Sequence, residues 1–266
     1  MPFHQSGGLR YYTFESLSSS HLVHAVFTRH GGVSPEPWSA LNVGALVGDD
    51  PHRVSENRLR AFEVAGRSVG SMYDVWQVHG RKVVCAQSPR PLDQPHIQAD
   101  AILTDRADVT LFMRFADCVP IVLHDPKRGV IGVAHAGWQG SVIGIAAAAV
   151  QEMQSAYHSN PPDILAAIGP SVCTRHYEVG SEVVDQVQQA FGPDSDKVLS
   201  HGNGELTPGK AYFDLWGANR IMLERVGVRQ IEISGICTAC HPEDWYSHRA
   251  EKGKTGRFGV LIGMAG

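Results

Sequence analysis

The sequence has no long hydrophobic run. Its longest apolar stretch, residues 142–150, is far too short to span a bilayer. The opening residues, MPFHQSGGLRYYTFESL, lack the positively charged n-region and apolar h-region of an export signal. Cysteine is sparse as well: five residues, an odd number, are spread over 266 positions, which argues against a disulfide framework. These absences together read as a cytoplasmic protein with reduced thiols. No charge of one sign dominates either. A net charge of −4 gives no electrostatic footprint for nucleic acid or an anionic membrane, and neither is expected as a partner.

What is present fits a soluble globular chain, with 43% apolar and 19% charged residues. The length suffices for one large core, and no linker or repeat divides it. The expectation is one domain over residues 1–266, monomeric or weakly homodimeric. Strands and helices mix without strict alternation, which predicts an α+β class rather than a doubly wound sheet.

The chain is organised around residues 114–140, RFADCVPIVLHDPKRGVIGVAHAGWQG. Two β-branched runs, 119–123 and 130–133, flank the turn sequence DPKRG, and the pattern predicts an antiparallel hairpin. With a two-residue loop, Pro126 and Lys127, Cys118 falls opposite His135. A four-residue loop, 126–129, shifts the pairing by two and keeps both side chains on one face. An odd loop would separate them. Opposite Cβ atoms lie about 4.5–5.5 Å apart, so this cysteine and histidine could share a metal ion or act as a catalytic nucleophile–base pair. A buried free cysteine beside a strand-end histidine also satisfies the pattern.

Elsewhere, residues 21–27, 75–79, 82–86, 99–104, 109–115, 164–168, 231–236 and 258–262 read as strands. Asp50 and Pro51 predict a capped helix to about Ala65. Ser141 predicts a capped helix to about Tyr157, fed by a Gly-rich turn that also suits an anion. Further helices are expected near 181–191 and over 214–226, with a loop at 203–209. The sequence CTACH at 237–241 fits the pattern for c-type haem attachment, which occurs outside the cytoplasm. Without an export signal, haem is not expected there; a redox or structural-metal role for the cysteine pair is the remaining reading.

Several segments in chain order carry a family resemblance: TRHGGVS, LNVG with VGDDP and ENR, QVHG, ADCVP, HAGWQG, IGPSV with YEVG, DLWGANR, ICT and KTGR. Together they resemble the YfiH-like laccase-domain proteins, also called multicopper polyphenol oxidase family proteins and described as purine nucleoside phosphorylases. The resemblance implies a single-domain four-layer α-β-β-α sandwich of the CNF/YfiH-like type. It implies zinc held by His79, Cys118 and His135, with copper possible in the same site in vitro. Three protein ligands leave a fourth position for water or substrate, as in catalytic zinc sites.

The implied activity is phosphorolysis of adenosine, inosine, guanosine and methylthioadenosine, with adenosine deamination as a side activity; the partners are then a purine nucleoside and phosphate. The matching motifs make Arg29, His30, Asn42, Arg58, Gln139 and Arg257 the candidate substrate-binding residues. Two positions depart from the family pattern: Gln139 stands where HAGWRG has Arg, and SHRA at 247–250 stands where SYRR is common. Two other activities are implied. A copper-dependent polyphenol oxidase is disfavoured by the complete lack of His-x-His pairs. A cysteine hydrolase acting in peptidoglycan-precursor editing would use Cys118 as nucleophile and His135 as base.

Overall fold

The structure, a computed structural model, describes residues 2–19, 21–91, 93–200 and 211–265. The expected loop at 203–209 lies outside the described residues. The central hairpin forms as Val119–Asp125 and Val130–Ala136, joined by a four-residue loop in which Gly129 takes a φ of 64°. Asp125 pairs with Val130, so His135 faces Pro120. Cys118 is therefore one diagonal step from His135, on the same face.

This hairpin is the middle of a six-stranded sheet ordered Gln230–Ile233, Leu165–Ile168, Val119–Asp125, Val130–Ala136, Ala101–Thr104, Val83–Cys85. A second six-stranded sheet runs Phe3–Ser6, Leu9–Tyr12, Leu22–Phe27, Phe258–Met264, Thr110–Phe115, Met72–Tyr73. The two sheets pack face to face through Val26, Met113 and Val260 of one and Val122, Ile131 and Val133 of the other, all buried. Residues of the hairpin that point the opposite way, such as Ile121, Leu123 and Ala134, meet Ile145, Ala149, Met153 and Leu223 of helices Ile145–Tyr157 and Leu215–Arg225. On the far side of the second sheet, Phe112 and Leu261 meet Ala61 and Phe62 of helix Pro51–Val64. These three cores define four layers, α-β-β-α, as the alternation of buried faces along each strand requires.

Local chemistry sets the helix starts. Asp50 caps Pro51–Val64 by accepting from the His52 N–H, and Asp214 caps Leu215–Arg225 by accepting from Trp216 and Gly217. The helix expected over 141–157 is two helices instead, Trp138–Ile143 and Ile145–Tyr157, broken at Gly144 with a φ of 76°. Ser141 caps neither; its hydroxyl donates to the Gly137 carbonyl one turn back. The strand expected over 75–79 is absent too, apart from an isolated bridge between Trp76 and Gln98. Its apolar residues suit a strand, but the backbone N–H groups of Val78, His79 and Gly80 turn to the Asp100 carboxylate rather than to a ladder. No helix among the described residues is long and apolar enough to cross a membrane.

Candidate metal centre and cavity

His79, Cys118 and His135 converge at the open end of the hairpin. One donor atom from each lies within 4.8 Å of the others. Cys118 Sγ is 3.7 Å from His79 Nε2, and the two imidazole rings meet edge to face with centroids 4.9 Å apart. A tetrahedral zinc bonded to sulfur and nitrogen at ordinary lengths separates those two atoms by about 3.6 Å, so the observed spacing fits a metal held between them. Gly137 completes the fit: a Cβ there would lie 2.8 Å from His79 Cδ2 and 3.0 Å from Cys118 Sγ. Only the missing side chain lets the donors close.

Asp100 orients the set. One oxygen accepts from His135 Nδ1 at 2.8 Å and from the His79 backbone N–H at 3.0 Å; the other accepts from Gly80 and Val78. This fixes the His135 tautomer and leaves its Nε2 to face the donor cluster, the carboxylate–histidine–metal arrangement of metal sites. Wrapping three successive N–H groups around one carboxylate requires a tight turn, and His79 adopts a left-handed φ of 59° to make it. Burial opposes ionisation of Asp100, but the hydrogen bond and charge of His135 and the N–H groups of Gly80 and Val78 hold its carboxyl below the usual range.

Cys118 and His135 also act on each other. Burial would raise the Cys118 thiol, but the charge of His135 and hydrogen bonds from His135 and His79 outweigh it and bring it down to about 6. Burial would lower His135, and the Cys118 charge with the Asp100 hydrogen bond raises it to about 9. Each thus favours the charged form of the other, thiolate on Cys118 and imidazolium on His135. A thiolate is also the form that binds metal.

The cluster forms part of the wall of a cavity of about 720 Å³, within the range of about 300–1,000 Å³ for small-molecule sites. Arg58, Gln139 and Arg257 line it together with the three donors. Arg58 gives Nε and Nη2 to the Val43 carbonyl, and Arg257 gives Nη1 to the carbonyls of Thr255 and Gly256. Neither has a carboxylate within ion-pair distance among the described residues. Burial, then the charge of Arg114, pulls Arg58 down to about 10. Burial also lowers Arg257, opposed by the charges of Cys118 and Asp117. Two guanidinium groups thus stand partly desolvated and without an acidic partner at the cavity wall.

The other three substrate-side candidates, Arg29, His30 and Asn42, do not line this cavity. Arg29 bonds the carbonyls of Ser39 and Pro242, pairs with Glu251 and stacks on Tyr246. His30 pairs with Asp244 at 2.8 Å. The Asn42 amide is buried and consumed by Gly44, Asp49 and the Arg257 backbone, so it shapes the Gly44 loop and Arg257 without touching the cavity. The sequence reading missed Asp100, Arg114, Trp76 and Tyr177, the last three of which line the cavity. For Asp100 a signal existed, since an acidic residue beside apolar strand residues is buried only with a partner.

Fold and donor set define an α+β protein with a Cys/His metal-type centre at the wall of a small-molecule-sized cavity. The sequence pattern of the family described as multi-copper polyphenol oxidoreductase laccase matches residues 23–265, and the chain belongs to this YfiH-like laccase-domain family. A Deinococcus radiodurans protein named purine nucleoside phosphorylase is 39% identical over 244 residues, covering 91% of this chain and 88% of that protein. The Escherichia coli purine nucleoside phosphorylase YfiH is 33% identical over 237 residues, covering 88% and 90%. The crystal structure of YlmD from Geobacillus stearothermophilus superposes with a TM-score of 0.91 at 34% identity, over 100% of this chain and 99% of that one.

Proposed function

We propose that this chain is a zinc-dependent purine nucleoside phosphorylase acting on adenosine, inosine, guanosine and methylthioadenosine, with adenosine deamination as a side activity. The observation that carries the reading is the placing of two unpaired guanidinium groups, Arg58 and Arg257, in one cavity with the donors His79, Cys118 and His135. The naming of similar proteins as purine nucleoside phosphorylases supports it.

In this reading Arg58 and Arg257 hold the phosphate by charge-assisted hydrogen bonds. Trp76, Trp138 and Tyr177, which line the same cavity, offer apolar faces to the purine. A phosphate oxygen attacks the anomeric carbon as the bond from that carbon to the purine nitrogen breaks, and the proton of hydrogen phosphate passes to the leaving nitrogen, giving the pentose 1-phosphate and the neutral free base. His79, Cys118 and His135 would hold the zinc, which would supply Lewis-acid chemistry at this wall of the cavity. Asp100 keeps His135 in the tautomer whose Nε2 is available to that metal.

The test is metal analysis of protein purified without added metal, with an inosine-plus-phosphate assay on the same sample. Hypoxanthine and ribose 1-phosphate are expected, and Cys118→Ala is expected to lose the cavity zinc and activity together. Zinc-loaded protein that releases no base from inosine, adenosine or methylthioadenosine in phosphate overturns the reading.

A second reading, a cysteine hydrolase, draws on the mutually favoured thiolate of Cys118 and imidazolium of His135. It requires wild-type activity to survive chelation, whereas the phosphorylase reading requires its loss. Copper-dependent phenol oxidation without a phosphate requirement would favour the oxidase named in the family description.

A further inference from the structure

A second donor cluster lies apart from the cavity centre. Cys173 precedes the short turn Thr174–His176, beyond strand Leu165–Ile168. Cys237 and Cys240 lie beyond strand Gln230–Ile233. The two strands are parallel neighbours, with Ile168 beside Ile233 and a further bridge between Ser171 and Cys237. Both connections therefore leave the sheet side by side, bringing a Cys-x-x-His next to a Cys-x-x-Cys.

His176 Nδ1 sits 3.6 Å from Cys173 Sγ, 3.7 Å from Cys237 Sγ and 3.5 Å from Cys240 Sγ. All four donor atoms lie within 4.8 Å of one another. One imidazole nitrogen has a single proton or lone pair and cannot hydrogen-bond three sulfurs at once. The edge of a tetrahedral zinc site between sulfur and nitrogen is about 3.6 Å, and all three distances match it. The cysteines are free, so no disulfide explains the cluster. Two further donors are aimed at sulfur: the Cys173 backbone N–H at Cys237 Sγ, 3.2 Å away, and Arg175 Nη2 at Cys240 Sγ, 3.8 Å away. Both would stabilise thiolates around a divalent ion.

We propose that Cys173, His176, Cys237 and Cys240 form a second, structural zinc site. Four protein ligands close the coordination shell, as in structural rather than catalytic zinc sites. The neighbouring Cys-x-x-Cys-His pattern is then a metal half-site: His241 turns to Glu243 at 3.0 Å and is not among the four donors. The site also clamps one wall of the cavity. Thr238, between the two paired cysteines, donates to Asp117 Oδ1 at 2.6 Å, and Val172 donates to the Asp117 carbonyl at 3.1 Å. Asp117 precedes Cys118, and Tyr177, which follows His176, lines the cavity.

The experiment measures zinc per chain in intact protein purified without added metal or chelator. Two zinc ions are expected in the wild type, one in Cys118→Ala and one in Cys240→Ser. Cobalt-substituted Cys118→Ala is expected to show thiolate-to-cobalt charge-transfer bands, because its remaining site keeps three thiolates. Should Cys240→Ser fail to fold, alkylation of the native wild type decides: Cys173, Cys237 and Cys240 are expected to be protected until a chelator is added. A Cys118→Ala protein that folds without bound metal, free alkylation of these thiols before chelation, or a disulfide between Cys237 and Cys240 would overturn the proposal. If the wild type holds a single zinc that Cys118→Ala retains, this site stands and the cavity site fails.

Discussion

Gly137 faces Cys118 across the open end of the central hairpin, with room for no side chain between them. Continuing the pairing of Val119 with Ala136 places these two residues opposite each other, and a Cβ on Gly137 would come within 3.0 Å of Cys118 Sγ. The backbone there is extended, with φ of −71°, so alanine meets no backbone strain and its clash falls on the His79 and Cys118 side chains. Gly137→Ala is expected to keep the unfolding temperature of the metal-free protein while binding zinc roughly 10–100-fold more weakly, the loss typical of a disturbed metal shell. Zinc titration and thermal unfolding of the variant check this; undiminished zinc affinity would show that Gly137 is not a spacer.

Asp100 makes a more specific claim. Asparagine can still accept from His135 Nδ1 but presents an amide to one set of backbone N–H groups and carries no charge. Asp100→Asn is expected to weaken zinc by about 10–100-fold. Because Asp100 supports the charged form of His135, the metal-free variant should also lose its imidazolium at lower pH, which histidine NMR would follow.

The arginines divide into two groups with opposite phenotypes. Arg58→Ala is expected to raise the phosphate KM by about 10–100-fold, the worth of a charge-assisted hydrogen bond. Arg29→Ala is expected to lower stability by about 1–3 kcal/mol, because it removes contacts to Ser39, Pro242, Glu251 and Tyr246. Its phosphate KM should not move. Initial rates at varied phosphate, with denaturant unfolding, separate the two; a phosphate effect confined to Arg29→Ala would reverse the assignment.

His24 links folding to pH away from the cavity. Its Nε2 accepts the Phe14 N–H at 2.8 Å, which requires the neutral ring, and burial lowers its pKa from 6.5 to about 4. A depressed histidine contributes stability that is full above the unfolded value of 6.5 and is lost as pH falls through about 4. The total is roughly 3 kcal/mol. His24→Gln is expected to flatten the dependence of stability on pH across that window, measured as the difference from wild type. Parallel curves would show that another group dominates acid unfolding.

The sequence by itself determined the hairpin and the Asp50 helix start, and it made a common face for Cys118 and His135 conditional on an even loop, which the structure supplies. These follow from periodicity, loop parity and capping, which act over a few residues along the chain. Its family motifs also named His79. Tertiary structure decided which polar residues meet. Asp100 reaches His135 because its strand pairs Ala101 with Ala134. The Gly-rich loop places Arg29 against Tyr246 and Glu251 rather than in the cavity. Cys173 and His176 meet Cys237 and Cys240 because two strands distant in sequence lie parallel and adjacent. Strand order is set by how two sheets and their helices bury their apolar faces together, a long-range energy that no short pattern encodes.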